Sequence, residues 1–127
     1  LPLLKTDLLD LILACCNNNL NEQNIDWYEK KSLCIVLCSK GYPDNFKKNI
    51  EIKNLEKISL NKFEYLFHAG TMKNNNTIYS IGGRVLNFVS TSDSFSNARN
   101  KIIKNLKILD WEDGFYRKDI GHKVIKK

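Results

Sequence analysis

The chain has 127 residues, 43% hydrophobic and 27% charged, a composition that excludes a fibrous or low-complexity polymer and fits one globular domain. No apolar run approaches the roughly 20 residues that span a bilayer, so no membrane partner is expected. The net charge of +6 comes from 17 lysines and only 3 arginines scattered along the chain; that pattern fits a solvated basic surface better than a phosphate grip, so no nucleic-acid partner is expected.

The apolar start, Leu1 to Leu4, lacks the basic flank and small-residue cleavage site of a signal peptide. It also lacks an initiator Met, and the chain is expected to begin within a longer protein. Residues 3–16 carry Leu4, Leu8, Leu11, Ile12 and Cys15 at the spacing of an amphipathic helix. Asn17-Asn18-Asn19 ends it, because Asn tolerates the left-handed backbone that closes helices. Residues 17–31 read as a linker anchored at its far end by Trp27. The boundary is therefore set with a leading helix and linker at 1–30 and a domain proper at 31–127.

Leu33-Cys34-Ile35-Val36-Leu37-Cys38 is a continuous apolar run that predicts a strand covered on both faces. Cys34 and Cys38 share one side of it, about 13 Å apart and too far for a disulfide. Cys15 and Cys16 are neighbours on a helix, no CxxC pair occurs, and only His68 and His122 could help complete a zinc site. All four thiols read as reduced, which points to a reducing compartment such as the cytoplasm.

Gly41-Tyr42-Pro43-Asp44-Asn45 is a dense turn signal, and Ile50-Glu51-Ile52 alternates like a short strand. Residues 55–60 fit neither period. Residues 65–71, 77–81 and 84–90 read as three consecutive strands. Lys73-Asn74-Asn75-Asn76 forms a hairpin loop between the first two, and Gly82-Gly83 permits a bulge or sharp bend before the third. Asp93 or Ser94 caps a helix carrying Phe95, Ala98, Ile102 and Leu106. Residues 111–127 form an irregular charged tail. The sum is an α+β fold, a mostly antiparallel sheet with a helix packed on one face, preceded by a leading helix.

Four segments place glycine beside polar residues where a core wants neither. They are Ser39-Lys40-Gly41-Tyr42-Pro43, Phe67-His68-Ala69-Gly70-Thr71, Gly82-Gly83-Arg84-Val85-Leu86 and Phe115-Tyr116-Arg117-Lys118-Asp119-Ile120-Gly121. Gly82 and Gly83 let backbone approach a ligand, and Arg84 can grip phosphate or carboxylate with two N–H groups; from spacing alone a plain turn with an exposed arginine is the favoured reading, since turns are the commonest use of glycine. His68, within a strand, is a cleft residue or a hydrogen-bonded structural one. Lys40 offers a point charge, and Arg117 either a ligand contact or an ion pair with Asp119. The phosphate-loop pattern GxxxxGK[ST] is absent.

In order and spacing, these segments together with Leu1-Pro2-Leu3-Leu4-Lys5-Thr6-Asp7-Leu8 resemble the C-terminal domain of phosphoribosylamine–glycine ligase, an ATP-grasp enzyme. The resemblance covers nearly the whole chain and departs from the family at the Asn-rich stretches 17–24 and 74–76. It implies that residues 1–30 are the tail of the ATP-grasp part. It further implies that the full-length protein joins glycine to 5-phosphoribosylamine in purine biosynthesis, with ATP and Mg (or Mn), through glycyl phosphate. The nucleotide- and metal-holding parts would lie upstream, so no cofactor is expected on this fragment and no catalysis from it alone. Arg84, Gly82, Gly83, His68, Lys40 and Arg117 become candidate substrate-binding residues. Three rivals remain: the end of another ATP-grasp ligase or carboxylase, a small basic RNA-binding domain stacking bases on Trp27, Tyr42 and Tyr65, and an oligomerising module.

Overall fold

The structure, a computed structural model, describes residues 1–125. Helix α1 (Leu8–Cys16) starts at Leu8, not at residue 3, because Asp7 takes the capping position and accepts the Leu9 N–H at 2.7 Å. The residues before it spend their backbone groups on a neighbouring segment. Tyr28 N–H donates to the Leu3 carbonyl at 2.8 Å and Lys5 N–H to that of Asp26 at 2.9 Å, flanking an isolated Leu4–Trp27 bridge. Trp27 thus anchors the linker through its backbone, while the residue stays 59% exposed. The left-handed residue that follows the helix is Asn18, with φ of 57°.

Seven strands follow, all paired antiparallel. They are β1 (Lys31–Ser39), β2 (Ile50–Glu51), β3 (Glu64–His68), β4 (Thr71–Asn74), β5 (Thr77–Ser80), β6 (Arg84–Ser92) and β7 (Gly114–Phe115). The larger sheet has the order β3-β6-β1-β7 and the smaller one β2-β5-β4. Helix α2 (Phe95–Leu109) packs on β1 and β6, and a short α3 (His122–Ile125) closes the described chain. The expected α+β architecture is present, with its antiparallel strands divided between two sheets.

Register explains where the core sits. Ile35 lies opposite Phe88 and Leu37 opposite Leu86, so these four share one face of the sheet. Ala98, Ile102, Leu106 and Leu109 recur at helical spacing on α2 and meet that face, and all eight side chains are buried. Each large apolar side chain removed from water there contributes about 1.5–3 kcal/mol. Ser94 caps α2 by accepting the Asn97 N–H at 3.1 Å. Trp111 ties the smaller sheet on, its indole N–H donating to the Glu51 carbonyl at 2.9 Å.

Further sequence expectations need correction. Strand β1 is covered on one face only: Cys34 is exposed and Val36 and Cys38 are half-buried on the other. Residues 65–71 are not one strand. The chain changes sheets at Ala69-Gly70, where Gly70 N–H donates to Arg84 O and the Gly70 carbonyl accepts from Ile81, each at 2.8 Å. The hairpin loop shrinks to Asn75-Asn76, since Lys73 and Asn74 pair with Ile78 and Thr77. The tail is more ordered than expected through residue 125; residues 126 and 127 lie outside the described chain. Among the described residues, no helix is long and apolar enough to cross a membrane.

Candidate functional site

The four glycine-bearing segments meet at one place, the junction between the two sheets. Strand β1 ends at Ser39, which is buried; its N–H donates to Gly83 O at 2.8 Å and its hydroxyl to Gly82 O at 2.9 Å. A polar residue closing an apolar strand thereby braces the Gly82-Gly83 bend. Lys40 N–H then donates to Asp113 O at 2.8 Å, which brings in the tail.

The paired glycines are required by close approach. A Cβ on Gly83 would lie 2.0 Å from the Tyr42 ring, which covers that peptide. A Cβ on Gly70 would lie 2.6 Å from both Gly82 Cα and the Arg84 carbonyl, where two backbones cross. The N–H of Gly82 is engaged with the Gly70 carbonyl at 3.2 Å. The packing of Tyr42 on Gly83 was not anticipated from sequence, although a tyrosine next to Gly41 in a motif of its own was the available signal.

The geometry at Arg84 depends on a β-bulge. Leu37 pairs with Leu86 and Cys38 with Arg84, so Val85 is the extra residue. Strict alternation from Leu86 and Phe88 would put Arg84 on the face beneath α2. The bulge places it opposite Cys38 instead, on the open face with Cys34 and Val36. Arg84 is exposed, while Val85 and Leu86 behind it are fully buried. Among the described residues its guanidinium has no hydrogen bond or ion pair. Burial pushes the Cys38 thiol above its ordinary pKa, and the Arg84 charge pulls it partly back.

The other two arginines are engaged. Arg99 donates to the carbonyls of Ile120 and Lys118. Arg117 grips Asp119 with two N–H groups, at 2.7 and 3.1 Å. That pair holds the Asp119 carboxyl below its ordinary pKa, chiefly through the side-chain hydrogen bond.

Two cavities flank the junction. One, of about 350 Å³, is mostly apolar and lies on the open face, lined by Cys34, Val36, Cys38, Tyr42, Phe115 and Arg117, among others. The second, of about 550 Å³, is lined by Ser39, Lys40, Gly41, Lys47, Ser80 and Asp113, among others. Lys40 and Arg117 therefore border different cavities, with Arg84 lining neither. His68 is exposed, and its Nδ1 lies 3.0 Å from the Thr71 hydroxyl. The junction thus brings Gly70, Gly82, Gly83 and Arg84 together with Ser39 and Tyr42, and leaves His68, Lys40 and Arg117 around its edge. No group of three or more His, Cys, Asp or Glu side chains among the described residues could hold a metal ion.

Residues 32–123 match the family model described as phosphoribosylglycinamide synthetase, C domain. The chain is 42% identical to a phosphoribosylamine–glycine ligase of Fusobacterium nucleatum over 95% of its own length and 29% of that protein. It is 38% identical to the enzyme of the same name from Brucella melitensis, over 98% of this chain and 29% of the relative. The chain thus spans less than a third of the length of these relatives. Among solved structures, the crystal structure of phosphoribosylamine–glycine ligase from Thermotoga maritima superposes with a TM-score of 0.65 at 24% identity, covering 87% of this chain and 27% of that one. That likeness concerns the fold.

Proposed function

Because the chain belongs to the phosphoribosylglycinamide synthetase C-domain family, we propose that it is the C-terminal part of an ATP-dependent ligase joining glycine to 5-phosphoribosylamine in purine biosynthesis. The family match over residues 32–123 carries this reading. In the proposed reaction, ATP transfers its γ-phosphoryl group to the glycine carboxylate, giving ADP and glycyl phosphate. The amine of phosphoribosylamine then attacks the acyl carbon, and inorganic phosphate leaves with the bonding electrons. The donor set for a metal is not found on the described residues, so no step is assigned to a metal held by this chain.

The role proposed for the chain is to close one side of the site and orient the sugar phosphate. Arg84 is the residue best suited to that task. It stands on a rigid base, on an open face, with its whole donor fork available for bidentate contact with phosphate oxygens. Arg117 is less suited, since binding a phosphate would first require breaking its pair with Asp119. The Gly82-Gly83 backbone serves mainly to set the bend from which Arg84 projects.

Assaying the full-length ligase for ADP release tests the assignment. Turnover is expected to require both glycine and phosphoribosylamine. Turnover with bicarbonate or formate in place of glycine would instead establish the rival ATP-grasp activity.

A further inference from the structure

A cavity of about 420 Å³, sharing no residue with the glycine junction, lies between α2 and the edge strand β3 and is lined by Lys57, Asn61, Glu64, Lys101, Lys104 and Asn105, among others. Glu64 is 8% exposed, an unusual degree of burial for a carboxylate. Its donors are asymmetric. The Asn61 backbone N–H at 3.2 Å, the Asn61 side-chain amide at 3.4 Å and the Asn105 side-chain amide at 3.4 Å all converge on Oε2. Oε1 accepts none of the hydrogen bonds found among the described residues. Among the described residues no lysine amine lies within ion-pair distance of this carboxylate either, although three border the same cavity.

Oε1 is not among the side-chain oxygens buried without a partner, so it opens on the cavity and can accept from a molecule that enters there. Charge narrows the candidates. A free cation would be drawn to Oε1 but repelled by three ammonium groups, and a free anion would be drawn to the lysines but repelled by Glu64. A molecule with a primary ammonium at one end and a carboxylate or phosphate at the other satisfies both. We propose that this cavity binds a small zwitterion of that kind. Its ammonium donates to Glu64 Oε1, and its anionic end lies among Lys57, Lys101 and Lys104. Asn61 and Asn105 position the carboxylate by holding Oε2.

The test is an NMR titration of the 127-residue chain with O-phosphoethanolamine and, separately, β-alanine, which distinguish a phosphate from a carboxylate end. Inorganic phosphate and ethylamine serve as single-charge controls. Saturable shifts of the Asn61 and Asn105 side-chain amides with either zwitterion are expected, with binding about tenfold or more weaker in Glu64→Gln. Lys104→Met, at the rim, should weaken binding without disturbing the fold, and guards against a Glu64→Gln variant that fails to fold. Absence of saturable shifts with both zwitterions would overturn the proposal. So would equal binding of inorganic phosphate, or undiminished binding in both variants.

Discussion

Substitution of Gly83 by Ala probes the sheet junction most sharply, because the atoms in conflict are known. The added methyl would lie 2.0 Å from Cδ2 and 2.4 Å from Cε2 of Tyr42. Gly83 does not have a positive φ, so the cost is steric and not one of backbone conformation. Either the ring swings off the bend or the strand shifts, and overpacking of this kind costs about 1–3 kcal/mol. The cost should disappear when the ring is absent. In a double-mutant cycle read by urea unfolding, Gly83→Ala in a Tyr42→Ala background is expected to cost under about 0.5 kcal/mol, giving a coupling of roughly 1 kcal/mol or more. Gly70→Ala provides a contrast: its methyl would meet backbone atoms at 2.6 Å, which cannot rotate away. It should destabilise more than Gly83→Ala in either background. A neutral Gly83→Ala, or one equally costly with and without the Tyr42 ring, would refute the packing account of the glycine pair.

Other outcomes follow from individual groups. Thr91 is buried and its hydroxyl has no partner among the described residues, so Thr91→Val should leave stability unchanged or raise it by up to about 1–2 kcal/mol in urea unfolding. The Asp119 carboxyl is held below the ordinary aspartate pKa by Arg117. Its stabilising contribution is therefore present at neutral pH and is lost as pH falls through and below the ordinary aspartate range. An NMR pH titration should show Asp119 titrating low, and Arg117→Gln should move that titration upward. A titration that does not respond to Arg117→Gln would show that the pair does not hold in solution.

The two helices and the sheet-backed architecture could be read from the chain because they rest on local periodicity. Ala98, Ile102 and Leu106 recur at helical spacing, and Ser94 is a capping residue at the right place. What could not be read depends on contacts distant in sequence. The start of α1 lies later than the apolar spacing suggests because Leu3, Lys5 and Thr6 pair with Asp26 and Tyr28, which no local pattern encodes. Residues 65–71 read locally as one strand, while the backbone at Ala69-Gly70 passes from one sheet to the other. Arg84 shows the limit most clearly. Its side was set by a single extra residue, Val85, in a register that only the pairing with Leu37 and Cys38 reveals. The burial of Glu64 has no local sequence signal, since an acidic residue at a strand start normally faces solvent; Asn61 and Asn105 make it possible, and Asn105 is 41 positions away.

Kinetics of Arg84→Ala in the full-length ligase bear most directly on the role assigned to this domain. Loss of a charge-assisted contact to the sugar phosphate amounts to about 1.5–3 kcal/mol, which is a rise of roughly 10- to 150-fold in KM for phosphoribosylamine. The KM for glycine and for ATP should stay near wild type, and Arg117→Ala should change the phosphoribosylamine KM far less. An Arg84→Ala enzyme that is folded and retains the wild-type KM for phosphoribosylamine would contradict the account.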